Sequence, residues 1–566
     1  MSGAKPSTHE LVPDISPSLS PSPAFDSNEE KPDTMVNHSK RFRSDSNDSE
    51  KHLDPLDKFA RAKAEGVKPA FMAKCEVINE AIREIGMGRF QYELFFTAGF
   101  GWFADNIWLQ GVAILLPAIA NEYRGPVFVK LLTLALYAGL ICGASFWGCS
   151  ADVVGRRIAW NATLVIGGIF GLVSGASPSF SALCVFIALI GFGVGGNLPV
   201  DGTMFIEFIP GKQQWLLTLL SVWWAIGQVV GSLIAWGFLR KYSCPTPPEG
   251  TYCSKESNMG WRYTFYTLGA MMIFLWVGRY FVCPVYESPK FLISVGRDED
   301  AVDVIQKIAK RNGKTSTLAI EDLRSAALPY LDSDSVSEGT AVTKLTTMEL
   351  VKSTFEDLSF EHVRSLFSTP RLAWSTSLVI FCYAAIGLAY PLYNGFLGVY
   401  LSQKNSELNA GASLDDTYAA FTYQAACGVP GSIAAAALVE WGKGGRKFAM
   451  SFFTVGAGVI LFGLTQAKTS VQVNALTCVA SFFQNAFYGV LYGYAPEVFP
   501  TPSRGTGDAL ASASNRITGI FAPVIAIYSN ASATPDGPVF ASAAIYVATG
   551  LVMLLLPIET RGKTAW

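Results

Sequence analysis

Gly155-Arg156-Arg157 and, 290 residues further along, Gly445-Arg446-Lys447 decide how this chain is built. At the same shift an acidic residue and a proline recur, Glu207 and Pro210 in the first case and Glu497 and Pro500 in the second. In both copies 51 residues separate the arginine from the glutamate, enough for two apolar runs that cross a bilayer and come back. A six-helix unit is therefore present twice.

Working outward, twelve runs match the about 20 apolar residues that a hydrocarbon core of roughly 30 Å requires. The expected spans are 94–118, 129–150, 158–177, 181–206, 215–239, 263–285, 372–400, 417–439, 448–466, 471–495, 508–528 and 538–557. Of the 566 residues 50% are hydrophobic and 16% charged, and 24 of the 43 Lys+Arg and 29 of the 45 Asp+Glu fall in 1–92 and 287–371. The rest is far poorer in charge than a soluble domain, at about 25%. The fold class is all-α integral membrane, twelve transmembrane helices in two six-helix repeats. Its parts are a disordered cytoplasmic tail (1–92), a first bundle (93–286), a cytoplasmic middle segment (287–371), a second bundle (372–558) and a short cytoplasmic end (559–566).

The net charge of −2 leaves no basic field to hold nucleic acid. Ser-Pro repeats such as Ser20-Pro21-Ser22-Pro23 give the tail no apolar signal segment, and the tail side carries the excess of basic residues, which places it in the cytosol. Arg41-Phe-Arg-Ser44 is either a kinase site or part of an unmodified solvated tail. In the middle segment Ala301, Val302, Val304, Ile305, Ile308 and Ala309 recur at helical spacing before Asn312-Gly313, which predicts a short amphipathic helix; a second is expected over 346–366. Parallel repeats with a solute bound between them near the midplane are an architecture of secondary transporters.

Gly148-Cys-Ser-Ala-Asp152-Val-Val-Gly155-Arg156-Arg157 resembles the loop signature of the major facilitator superfamily. Glu287-Ser-Pro-Lys290, Pro496-Glu497-Val-Phe-Pro500 with Arg504-Gly-Thr-Gly507, and Pro557-Ile-Glu559-Thr-Arg-Gly562 resemble its sugar-porter branch. Gly86-Met-Gly-Arg89, Gly101-Trp-Phe-Ala-Asp105 and the glycine run from Gly191 resemble instead the synaptic-vesicle-protein-like and organic-ion transporters, and the mixture looks fungal. The resemblance covers about residues 86–563. It implies the major facilitator fold, alternating access, and a cytoplasmic charge latch of Asp152, Gly155, Arg156, Arg157 and Glu207 with the second-half counterparts Glu440, Arg446 and Glu497, and with Arg504. Ile187 stands about where sugar porters carry an arginine that pairs with a first-helix aspartate, a departure that counts against proton-coupled sugar transport.

An ionisable side chain inside a span is costly and marks function by default. Asp105, near mid-membrane, is the leading proton-coupling candidate, against a helix-packing hydrogen bond. Arg516 either attracts an anionic solute or forms a structural pair with Glu497 or Asp508. Asp201 belongs to the cavity or to the latch, and Arg279 is expected only to snorkel. Gln110, Asn197, Gln228, Tyr390, Asn394, Gln424, Gln484, Asn485 and Asn515 are candidate cavity-lining groups, or else glue between helices. In the outer loop, Cys244 and Cys253 form a disulfide or remain two thiols. His9, His38, His52 and His362 form no cluster, and no Cys-x-x-Cys, Walker loop or nucleophile elbow occurs, so metal, cofactor, enzymatic and ATP-driven chemistry are not expected. The reading is a transporter moving a small polar or anionic organic solute, such as a sugar or carboxylate, with protons. A sensor that keeps the fold without turnover is the other, and uptake and efflux remain open directions.

Overall fold

In hydrocarbon no water satisfies a bare peptide group, so each apolar run must close its own hydrogen bonds. The computed structural model describes residues 69–123, 126–153, 155–244, 251–282, 285–330, 361–395, 397, 400–401, 404, 414–441, 444–499, 503–528 and 536–560, and every regular element among them is helical. After α1 (Pro69–Ile85), the first half comprises α2 (Arg89–Ala120), α3 (Pro126–Val153), α4 (Arg156–Gly175), α5 (Phe180–Val194) with α6 (Asn197–Glu207), α7 (Trp215–Leu219) with α8 (Ser221–Tyr242), and α9 (Gly260–Val282). The middle segment gives α10 (Pro289–Ser294), α11 (Asp298–Arg311), α12 (Ile320–Ala327) and α13 (Glu361–Ser365). The second half comprises α14 (Pro370–Asn394), α15 (Leu414–Glu440), α16 (Gly445–Thr465), α17 (Ser470–Val498), α18 (Arg504–Tyr528) and α19 (Gly537–Met553).

Seven of the spans among the described residues are long and apolar enough to cross a bilayer on composition alone. Three of the others, α15, α17 and α18, are the helices that carry Gln424, Gln484, Asn485, Asn515 and Arg516. The fourth and fifth spans are each built in two pieces, which a hydropathy window reads as one.

The repeat is visible in the packing. In the first half α2 packs on α8, α3 on α5 and α4 on α9; in the second α14 packs on α18, α15 on α17 and α16 on α19. The same three pairings thus recur span for span. Glycine permits close approach within them: on Gly191 of α5 a Cβ would run into the Leu136 carbonyl of α3. The halves meet along α3 with α18 and α8 with α15.

Residues 69–85, read from the sequence as tail, are a helix. Cys75, Ile78, Ala81, Ile82 and Ile85 repeat at helical spacing and are buried, so α1 has a face to bury despite lacking a long apolar run. It packs on α10, α11 and α12, and Lys74 pairs with Asp298. The predicted helix of the middle segment is α11, which ends at Asn312 with Gly313 at φ +69°. Of the second predicted helix only α13 lies within the described residues. The middle segment is bolted to the first half and to α1: Arg311 Nε bonds Glu93 at 2.6 Å, the Phe90 amide donates to Asn312 at 2.9 Å, and Lys314 Nζ donates to the Ile85 carbonyl of α1 at 2.6 Å.

Both Gly-Arg loops lie on one face, termed here the latch face. On the opposite face Cys244 and Cys253 are joined by a disulfide. The Cys253 amide donates to the Asn121 carbonyl at 2.8 Å, and Arg262 holds Glu122 through two bonds of 2.8 and 2.6 Å, tying that loop to the end of α2.

Candidate functional site

Between the halves lies a small, partly open cavity. Asp105 and Leu109 of α2, Tyr137 and Leu140 of α3 and Trp224 of α8 line it from one side; Gly387, Tyr390 and Pro391 of α14, Tyr488 and Tyr492 of α17 and Asn515 and Arg516 of α18 line it from the other. Asp105 sits at the middle of the 32-residue α2, where burial leaves a carboxylate in need of a partner. That partner comes from the opposite half: Arg516 Nη2 stands 3.8 Å from Asp105 Oδ1. The separation gives Coulomb attraction without a hydrogen bond, and Asp105 Oδ1 makes none. Arg516 also donates through Nη1 to Ser512. Gly387 positions the arginine, because a Cβ there would occupy the backbone of Asn515; α14 and α18 therefore touch beside it.

The cavity wall is aromatic. Ring centroids of Trp224 and Tyr488 are 4.8 Å apart, Tyr390 and Tyr488 5.1 Å, Tyr488 and Tyr492 5.8 Å, and Trp224 and Tyr390 6.3 Å. Such contacts fix each ring against its neighbour.

Most of the expected polar lining groups are elsewhere. Asn394 Nδ2 donates to Gln484 Oε1 and Gln424 Nε2 donates to Asn394 Oδ1, both at 3.1 Å, so these three amides bond one another. Gln228 Nε2 donates to the Tyr390 hydroxyl at 3.0 Å, and Asn485 Nδ2 donates to Gln228 Oε1 at 3.5 Å. Gln110 is half-buried on α2, outside the cavity wall. Asn197 Nδ2 donates to the Gly101 carbonyl at 3.4 Å. Of the expected solute and proton residues, the cavity brings together Asp105, Tyr390, Asn515 and Arg516.

Asp201 and Arg279 depart from expectation. Asp201 is in neither cavity nor latch; it is buried inside the first half, where Arg279 Nη2 bonds its Oδ2 at 3.0 Å. Arg279 does not snorkel. It is fully buried, donates from Nε to the Thr97 carbonyl at 3.0 Å and from Nη1 to the Trp160 carbonyl at 2.5 Å, and lies 4.0 Å above the Trp160 ring centroid. One guanidinium of α9 thereby holds α2, α4 and α6. The lack of a side chain at Gly101 leaves the space on α2 that the Asp201 carboxylate fills.

On the latch face, Arg156 pairs with Glu207, and Arg504 Nη1 approaches the same carboxylate to 3.9 Å from the second half. Arg446 pairs with Glu497, donating from Nη2 to Oε1 at 2.6 Å. Glu440 stays exposed at the end of α15 and is not the partner Arg446 takes. The Arg157 side chain is exposed, and the Asp152 side chain falls outside the described residues.

Two carboxylates that sequence reasoning passed over complete the loops. Glu287 accepts from the Arg156 and Arg157 amides at 3.0 and 3.3 Å, and Glu559 accepts from the Arg446 and Lys447 amides at the same distances. Each satisfies orphan N–H groups at a helix start, of α4 and α16. Gly155 at φ +105° and Gly445 at φ +70° turn the chain so that the carboxylate fits where a Cβ would be. The available signal was one glutamate just after the last span of each half.

The sequence profile of the Major Facilitator Superfamily matches residues 94–523. The chain is 44% identical over 536 residues to MFS siderochrome iron transporter 1 of Ceriporiopsis subvermispora, covering 92% of this chain and 98% of that protein. It is 26% identical to the niacin transporter NiaP of Acinetobacter baylyi, over 85% of this chain and 97% of that one. Among solved structures, the proton:xylose symporter XylE bound to 6-bromo-6-deoxy-D-glucose superposes with a TM-score of 0.64 at 17% identity, covering 84% of this chain and 98% of that chain.

Proposed function

Because the chain belongs to the major facilitator superfamily, and is a secondary transporter and not an enzyme, we propose that it carries a small ring-bearing organic anion in step with a proton. The observation that carries this reading is the Asp105–Arg516 pair, which spans the two halves inside an aromatic cavity. A solute carboxylate offers Arg516 a closer partner than an aspartate 3.8 Å away, while the solute ring lies against Trp224, Tyr390, Tyr488 and Tyr492. Asp105, deprived of its counter-charge in a buried site, then takes a proton, so binding of the anion and of the proton reinforce each other. Rocking of the halves carries both across.

A sugar fits less well, since the amides that would bond hydroxyls bond one another outside the cavity wall. A relative named as a niacin transporter is in keeping with a ring acid, and one named for siderochrome iron favours a chelate as second reading. In this reading the latch face is cytosolic, and the disulfide on the opposite face, where an oxidising compartment permits it, supports that orientation.

The test uses the purified protein in vesicles holding a pH-sensitive dye, offered aromatic monocarboxylates, sugars and ferric hydroxamate chelates in turn. A pH change with the aromatic acids that vanishes in Asp105→Asn, together with uptake lost in Arg516→Gln, supports the reading. A pH signal with sugars or chelates alone overturns the solute class, flux indifferent to Asp105→Asn overturns the proton site, and saturable binding without flux indicates a sensor.

A further inference from the structure

The latch face contains a cation that the transport cycle above leaves without a task. Lys290 of α10 is only 3% exposed, although a strongly hydrated ammonium is rarely buried without an opposite charge beside it. Among the described residues, the charged groups that act on it most are of its own sign: Arg504 of α18 in the second half and Arg156 of α4 in the first, whose Nη1 donates to Ser288 Oγ at 3.4 Å, two residues before the lysine. Cys75, on the face that α1 lays over this region, is its remaining titratable neighbour among the described residues. Among the described residues, the carboxylates around Arg156 and Arg504 are already engaged. Glu207 pairs with Arg156 and lies 3.9 Å from Arg504, Glu287 caps α4, and Asp508 lies in the field of Arg504 and Arg516. Lys290 thus sits at the seam where Arg504 crosses from one half to the other.

We propose that Lys290 is a pH-responsive wedge in this seam: protonated, it repels Arg504 and favours the transporter open at the latch face; deprotonated, it lets the seam close. Burial, then Arg504 and Arg156, lower its pKa from 10.5 to about 8 in the closed form. Opening the seam withdraws Arg504 and admits water, which returns the lysine toward its ordinary value. The proton therefore binds the open form more tightly, and closing releases it. Closure gains with pH from about 8 up to 10.5 and is insensitive to this group well below 8. Burial pushes the Cys75 thiol up to about 11, so it stays neutral over most of that window and leaves the lysine as the group that responds. The inference concerns the seam alone and holds whatever the solute.

The experiment places a fluorescent pair at the exposed positions Arg89 and Trp441, one on each half, by stop-codon suppression in the full-length protein. Single-molecule energy transfer is read in lipid nanodiscs without solute, at equal pH on both faces, from pH 6.5 to 9.5. The closed population of the unmodified lysine protein is expected to rise through about pH 8. Lys290→Arg keeps the charge throughout and should stay open-leaning with no response, while Lys290→Met should stay closed-leaning. A flat profile for the lysine protein overturns the proposal, and so does a pH response that survives in Lys290→Arg. The conservative arginine variant decides the matter even if the methionine variant fails to fold.

Discussion

The two Gly-Arg loops are copies of one device and serve different ends. Around Gly155 and Gly445 the turn, the capping carboxylate and the buried arginine–glutamate pair are the same, down to amide–carboxylate distances of 3.0 and 3.3 Å in each. The difference is one added cation. Glu207 is approached by Arg504 of the other half, whereas among the described residues Glu497 pairs only with Arg446 of its own half. The second loop therefore builds its bundle, and the first both builds its bundle and fastens the halves together. A repeat in sequence need not be a repeat in mechanical role, because one neighbour decides which parts an ion pair connects.

The sharpest break of this comparison is Glu497→Gln. It strands the buried Arg446 charge and should cost about 3–5 kcal/mol, seen as a large drop in thermal stability with little change in the balance between open and closed forms. Equal loss of stability in Glu497→Gln and in Arg504→Gln would erase the distinction. Next come Gly155→Ala and Gly445→Ala, each forcing a side chain into positive φ against a carboxylate, with an expected loss of about 1–3 kcal/mol. The two should match, as their local geometry does; a clear inequality would mean that Glu287 and Glu559 do not do equivalent work. Arg504→Gln leaves Glu207 paired with Arg156, so it should cost clearly less stability than Glu497→Gln, yet it should shift the population toward the form open at the latch face, by on the order of tenfold or less because the repulsion of Lys290 is lost along with the attraction to Glu207; accessibility of latch-face residues to a water-soluble label reads this. The smallest effect is a slope. Because the folded-state pKa of Lys290 is lowered from 10.5 to about 8, burial of its charge costs stability below 8, and that cost fades as pH rises toward 10.5. Melting of the protein relative to Lys290→Arg should rise across that interval, and a constant difference would contradict it.

Much of the architecture could be read from the chain because apolar length and the constant shift between halves are linear properties. The direction in which a side chain points is not. Arg279 lies near a helix end and so reads as a snorkelling residue, yet its rotation about α9 turns it inward to Asp201. The amides Asn394, Gln424 and Gln484 share a composition with cavity-lining groups, and only their mutual bonds reveal that they serve each other. The helix α1 was missed because its apolar residues are spaced and few, which a search for continuous runs passes over. Asp105 and Arg516 were legible singly as costly charges; that they face each other although 411 positions apart in sequence follows from the fold alone.

The pair made by Asp201 and Arg279 also bears on how the protein is made. The two residues are 78 apart in sequence, and α6 leaves the ribosome well before α9. At about 5–20 residues per second, the delay is on the order of 4–16 s. During that interval the aspartate lacks the cation it will be buried with, and hydrocarbon is a costly place for it to wait. The fourth span must linger near the insertion machinery, in contact with water, or enter the lipid protonated, until the sixth span supplies the arginine. Assembly of the first half is thus a timed event, completed by the last of its six helices.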